Sequence, residues 1–286
     1  MLRTRLWMGA ILIALAVGVL LVDQRFAPCY PFLLVLVLGL GLLGCHELLH
    51  LLGPERRLPA RLCYLSVACL VLVNWVAHLW PLAALPDPWS WIAGVFAAVI
   101  LAAFLTEMSV FEEPGQSVMR VSLTIWIAAY LGLLSCFLVQ LRWLPDPDAV
   151  QRGSLALALT IFVPKMGDTG AYFTGRLLGR HPMSPVLSPK KTWEGAAGGM
   201  TLAVVTTILI NRLGPALTGG LPVEIGFGLT VGLAGLLGDL AESLVKRDCQ
   251  KKDASQIMPG FGGVLDVIDA LLFAAPVAYL WFVWAV

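Results

Sequence analysis

Four short stretches hold most of the side chains in this sequence that could do chemistry. Lys165-Met-Gly-Asp168-Thr-Gly-Ala-Tyr172 sets an ammonium and a carboxylate three residues apart, on one face of a helix. In Ser188-Pro-Lys190-Lys191-Thr192-Trp-Glu194-Gly195, two lysines flanked by hydroxyls stand directly before a helix. The free N–H groups and positive dipole end of such a helix favour an anion. Gly238-Asp239-Leu-Ala-Glu242-Ser243-Leu-Val-Lys246-Arg247 stacks a carboxylate, a hydroxyl and an ammonium at 239, 243 and 246 along one helical stripe. The fourth stretch runs from Lys252-Asp253 through Pro259-Gly260-Phe261-Gly262-Gly263 to Asp266-Val267-Ile-Asp269, a Gly/Pro loop that opens a helix with two acids in its first turns. Each stretch also has a plainer structural reading: a self-neutralising pair, a basic anchor, a snorkelling helix end and a helix cap, in that order.

If the segments around 239 and 266 form a hairpin about the loop 247–262, Asp239 comes opposite Asp266 and Asp269. Three carboxylates then converge, ringed by Ser243, Lys246, Arg247, Lys190 and Lys191. Mg²⁺ takes one or two protein carboxylates and fills its shell with phosphate oxygens and water. Lys and Arg bind the phosphate charge that remains. Phosphoryl or nucleotidyl transfer with a divalent cation is the chemistry this suits, with or without a second cation.

The elements that must position these groups are membrane helices. The 286 residues are 59 % hydrophobic and 13 % charged, with mean hydropathy +0.85. Soluble domains carry about 25 % charged residues, so a soluble enzyme, a disordered chain and a nucleic-acid binder are all disfavoured. A crossing helix needs about 20 apolar residues, and the sequence predicts an all-α polytopic protein with nine spans: 6–22, 29–45, 62–80, 89–106, 121–141, 154–175, 195–211, 222–243 and 264–285. The first, preceded by Arg3 and Arg5, is read as a membrane helix because no small-residue cleavage site follows it. Most of the 19 Lys and Arg fall on one face when the N-terminus is cytoplasmic. Residues 1–150 are apolar spans, read as a scaffold with dimer contacts, and 151–286 as the catalytic region of one continuous membrane domain. An ionisable side chain near mid-bilayer costs about 2.5–3.5 kcal/mol, so the charges at 165, 168 and 239 mark a functional interior. The six cysteines form no CxxC pair and imply neither a disulfide framework nor a zinc cage.

At these residues the chain resembles the phosphatidate cytidylyltransferase (CDP-diacylglycerol synthase) family. That family's signature runs Ser-x-apolar-Lys-Arg, four residues, Lys-Asp, Pro-x-His-Gly-Gly and Asp-Arg-x-Asp. Here it reads Ser243-Leu-Val-Lys246-Arg247, then Lys252-Asp253, Pro259-Gly-Phe261-Gly262-Gly263 and Asp266-Val267-Ile-Asp269. The upstream Gly-Asp falls on Gly238-Asp239, and the Asp-Thr-Gly-Ala-Tyr…Gly-Arg element on Asp168 to Tyr172 and Gly175-Arg176. The Ser-Pro-Lys-Lys-Thr-Trp-Glu-Gly element falls on Ser188 to Gly195. Phe261 stands for the usual His and Val267 for the usual Arg. The resemblance covers residues 160–275.

It implies transfer of CMP from CTP to phosphatidic acid at the cytoplasmic side of the inner membrane, in a homodimer. It implies Asp239, Asp266 and Asp269 as metal ligands, with Lys246 and Arg247 completing the catalytic set. Asp168, Arg176, Ser188, Lys190, Lys191, Thr192, Ser243, Lys252, Asp253, Gly262 and Gly263 would bind substrate. Three alternatives stand beside this. One is CMP transfer to another lipid phosphate. Another is an intramembrane zinc metalloprotease built on His46-Glu47-Leu-Leu-His50, which needs a third ligand. The last is an ion-coupled transporter using Lys165, Asp168 and Asp239.

Overall fold

The computed structural model describes residues 2–79, 87–144, 149–251, 254–255, 258 and 262–285. It is a bundle of long helices: α1 (Leu2–Val22), α2 (Pro31–Leu52), α3 (Ala60–Leu79), α4 (Pro88–Ser109), α5 (Ser117–Ile127), α6 (Leu134–Gln140), α7 (Ala149–Leu178), α8 (Trp193–Leu213), α9 (Leu221–Asp248) and α10 (Leu265–Leu280). The π-helical turn Ala128–Leu133 joins α5 to α6, so together they make the single span expected over 121–141. Among the described residues, eight helices are long and apolar enough to cross a membrane. The expected span 154–175 lies inside the 30-residue helix α7, which is not one of those eight.

Local chemistry starts these helices where the sequence offers it. Asp23 accepts hydrogen bonds from Phe32 N and Leu33 N, 3.0 Å each, in the first turn of α2, where Pro31 pre-sets the backbone. Asp87 caps α4 through Ser90 N at 3.0 Å, and Thr192 Oγ1 caps α8 through Gly195 N at 3.1 Å.

Helices α7 to α10 form the most closely packed group, and α10 also rests on α6. The closeness of α9 to α10 depends on Gly238: a Cβ there would stand 2.5 Å from the Asp269 carbonyl oxygen. Small residues are how membrane helices approach when lipid supplies no hydrophobic drive. The pairing sets Asp239 directly beside the α10 turn that carries Asp269.

The sequence placed Ser188–Thr192 as chain leading into a helix. The structure folds it into a small antiparallel hairpin, β1 (Pro182–Ser184) with β2 (Ser188–Thr192), which runs straight into α8. Glu194 fastens it: Oε1 lies 2.6 Å from His181 Nδ1, and Oε2 accepts from Arg180 N and His181 N at 3.1 and 3.3 Å.

Candidate active site

Asp239 and Glu242 on α9 and Asp269 on α10 each bring one carboxylate oxygen to within 4.8 Å of the others. Glu242 and Asp269 are buried, and Asp239 is half-buried. Three lysines from three elements compensate them. Lys165 Nζ is 3.6 Å from Asp269 Oδ1 and 3.9 Å from Asp168 Oδ2. Lys191 Nζ is 2.6 Å from Asp239 Oδ2. Lys246 Nζ donates to Glu242 Oε2 and to Asp266 Oδ1, 2.7 Å each.

The expected trio was Asp239, Asp266 and Asp269. The structure brings the first and last together and does not bring Asp266 with them. Asp266 Oδ2 accepts from Gly263 N at 2.7 Å while Oδ1 takes Lys246, so both oxygens brace the start of α10. Glu242 completes the group in its place. The stripe read as 239, 243 and 246 is in fact buried along Gly235, Gly238, Glu242 and Lys246, with Ser243 half-buried beside it. Glu242 was missed; the signal that would have found it is a carboxylate four residues before a lysine in an apolar helix.

The donor set fits a hard divalent cation. It is all oxygen, and Glu242 Oε1 is buried with no hydrogen-bond partner among the described residues. An orphaned buried acceptor costs about 1–3 kcal/mol, which a bound cation would recover.

Next to the group opens a cavity of about 230 Å³ lined by Asp168, Tyr172, Lys190, Lys191, Thr192, Gly195 and Asp239, among others. Pockets that enclose a whole drug-sized ligand run to roughly 300–1,000 Å³, so this one has room for only part of such a ligand. Four expected substrate residues therefore share it: Asp168, Lys190, Lys191 and Thr192. Arg176 instead lies exposed, donating to Tyr172 Oη at 3.1 Å. Ser188 pairs with Ser184 in the hairpin. Arg247 reaches the hairpin turn, Nε to Leu187 O 3.4 Å. Gly262 has φ +100°, a left-handed value suited to glycine, and with Gly263 it shapes the entry to α10. Lys252 and Asp253 lie outside the described residues, as does Phe261.

Among the described residues, the HExxH string assembles no zinc site. His46 and His50 are exposed, and His46 Nδ1 lies 2.9 Å from Tyr64 Oη. Glu47 is buried against the backbone of α10, accepting from Val264 N and Leu265 N at 2.8 and 2.9 Å. Among the described residues, the one His/Cys/Asp/Glu group able to hold an ion is that of Asp239, Glu242 and Asp269.

The sequence pattern of the cytidylyltransferase family matches residues 3–284, almost the whole chain. The chain belongs to the cytidylyltransferase family. Three curated relatives illustrate its place there. Phosphatidate cytidylyltransferase of Mycobacterium tuberculosis is 34 % identical over 169 residues, covering 59 % of this chain and 49 % of the relative. Phosphatidate cytidylyltransferase of Brucella suis is 46 % identical over 114 residues, 40 % of this chain and 41 % of the relative. Phosphatidate cytidylyltransferase 5, chloroplastic, of Arabidopsis thaliana is 30 % identical over 235 residues, 76 % of this chain and 56 % of the relative. The chain spans about half the length of the curated relatives it matches. Membership in this family favours neither the zinc protease nor the transporter.

Proposed function

We propose that this protein is a CTP:phosphatidate cytidylyltransferase, joining CTP and phosphatidate into CDP-diacylglycerol and pyrophosphate for phospholipid synthesis. The observation that carries the reading is the group Asp239, Glu242 and Asp269, with Glu242 Oε1 unpartnered among the described residues, beside a lysine-lined cavity in a chain of the cytidylyltransferase family. These three acids would hold Mg²⁺. A bound Mg²⁺ supplies charge neutralisation and polarisation of phosphoryl oxygens.

The chain's own residues do the rest. Lys190, Lys191 and Thr192 bind phosphate oxygens at the cavity, and Lys165 and Lys246 keep the buried acids paired and fixed. The nucleophile is a phosphatidate phosphate oxygen, already anionic, so no side chain has to remove a proton. That oxygen bonds to the α-phosphorus of CTP, the bond from the α-phosphorus to its bridging oxygen breaks, and pyrophosphate leaves. Holding both phosphates in line is the main task of the site. Roles for Arg176, Ser188, Ser243, Lys252, Asp253 and Arg247 rest on the family resemblance.

The same proposal puts the N-terminus and the site on the cytoplasmic side of the inner membrane. The basic segments that flank the site support it, as does the need to meet soluble CTP. Residues 1–150 would serve as scaffold and homodimer contact, and 151–286 as the catalytic region. Little of α1 and α4 is covered within the chain, which leaves faces for lipid or a second copy.

The test is an assay of purified protein with Mg²⁺, radiolabelled CTP and a panel of lipid phosphates including phosphatidate and a prenyl-ether analogue. Labelled CDP-diacylglycerol with one pyrophosphate per turnover is the expected result. Label in a different lipid alone would move the substrate, and no label in any lipid would overturn the reading.

A further inference from the structure

Glu47 lies outside residues 160–275, which carry the quoted motifs. Its carboxylate is 1 % exposed and is committed to a segment more than two hundred residues away. Oε1 accepts from Val264 N at 2.8 Å and from Ser255 Oγ at 2.5 Å; Oε2 accepts from Leu265 N at 2.9 Å. The first amides of any helix lack partners within it, and Val264, the residue at the cap of α10, supplies no side-chain bond. Glu47 supplies the cap from α2 instead. A carboxylate is the best group for that place, because it meets the positive end of the α10 dipole with two acceptor oxygens.

Two further contacts tie α2 to described residues on the way into α10. One turn along α2 from Glu47, the His50 carbonyl accepts from Lys251 Nζ at 3.1 Å. At Gly263 a Cβ would stand 2.5 Å from Glu47 Oε2, so the carboxylate fills the space a side chain would take. The next groups along the chain are Asp266, tied to Gly263 N and Lys246, and Asp269, one turn on, in the carboxylate group.

We propose that Glu47 is a positioning residue for the reaction: by clamping the start of α10 it sets where Asp269 stands against Asp239 and Glu242. It touches no substrate. A small slide or rotation of the first turn would move Asp269 out of the 4.8 Å group. The clamp as a device for catalysis rests on the function proposed above, but its effect on cation binding does not.

The experiment compares Glu47→Gln, Glu47→Asp and Ser255→Ala with the natural protein. Mn²⁺ affinity is read by EPR without nucleotide, and kcat and KM for CTP are read separately. Gln keeps the size but turns an amide NH₂ toward backbone N–H groups. With residues that orient metal ligands, such losses run to about 10–100-fold, so Glu47→Gln is expected to weaken Mn²⁺ binding and lower kcat by about tenfold or more. KM for CTP should change far less, Glu47→Asp should recover part of both losses, and Ser255→Ala should show a smaller shift in the same direction. A folded Glu47→Gln with natural Mn²⁺ affinity and kcat overturns the clamp. If Glu47→Gln fails to insert, Ser255→Ala decides, and natural values there overturn it equally. A Mn²⁺ shift in Glu47→Gln, with no CTP turnover in any form of the protein, would keep the clamp and sink the proposed reaction.

Discussion

Lys191 Nζ lies 2.6 Å from Asp239 Oδ2, so a residue of the β hairpin closes an ion pair over the edge of the carboxylate group. The contact joins the two halves of the proposed site. A divalent cation on Asp239 competes with this ammonium, and once displaced, Lys191 is already in the cavity where a phosphate would sit. Lys191→Gln is therefore expected to tighten Mn²⁺ binding in the absence of nucleotide and to raise KM for CTP. One charge-assisted hydrogen bond is worth about 1.5–3 kcal/mol, or roughly ten- to a hundredfold in KM. Mn²⁺ titration and steady-state kinetics on the same preparation check both signs; weaker Mn²⁺ binding in the variant contradicts the competition.

The four acids should separate into two classes. Asp239→Asn, Glu242→Gln and Asp269→Asn each remove an oxygen from the group and are expected to lower kcat by about a hundredfold or more, since cation charge stabilisation is worth several kcal/mol. Asp266→Asn removes a brace instead. It should leave Mn²⁺ affinity within about threefold and act chiefly on stability, by about 1.5–3 kcal/mol, the worth of one charge-assisted hydrogen bond, since Lys246 keeps Glu242 as a partner. Thermal unfolding in detergent beside Mn²⁺ titration distinguishes the two. A Mn²⁺ loss in Asp266→Asn as large as in Asp269→Asn would place Asp266 among the ligands after all.

Where Asp266 and Glu242 stand relative to the expected trio shows what the sequence could and could not carry. The spans were legible because long apolar runs have one physical outcome in lipid. Even α7 was readable despite Lys165 and Asp168. The phase of α9 was not, because it is set by Gly238 meeting the Asp269 carbonyl, a contact between helices. That contact turns Glu242 inward and leaves Ser243 beside it. Asp266 was ambiguous because an acid in a first helical turn looks the same whether it holds an ion or a backbone amide. The cap from Glu47 was hidden by its distance along the chain, and the string around it suggested zinc. The hairpin 182–192 and the π-helical turn at Ala128–Leu133 left no pattern that composition could show.

Removing the cation should be visible without chemistry. Chelation by EDTA is expected to stop turnover, and excess Mg²⁺ to restore it. A ligand that binds only the folded state stabilises it by about 2.7 kcal/mol at a hundred times its Kd, so Tm in Mg²⁺ should exceed Tm in EDTA. In Asp269→Asn the Mg²⁺-dependent rise should vanish, whatever the variant's own Tm in EDTA, because the group then lacks one of its three carboxylates. An undiminished Mg²⁺ rise in that variant would place the ion elsewhere.

Gly238→Ala probes the geometry rather than the chemistry. The added methyl would stand 2.5 Å from the Asp269 carbonyl oxygen and 3.1 Å from the Ala270 Cα, backbone atoms that cannot step aside singly. Helices α9 and α10 must part by some tenths of an ångström, and overpacking of this kind costs about 1–3 kcal/mol. The same displacement separates Asp239 and Glu242 from Asp269, so loss of Mn²⁺ affinity should accompany the fall in Tm. Gly18→Ala on α1 makes the control, since nothing lies within 4 Å of a Cβ there. It should change neither property. A Gly238→Ala protein that is destabilised yet binds Mn²⁺ like the natural one would show that the three carboxylates do not depend on the close approach of these two helices.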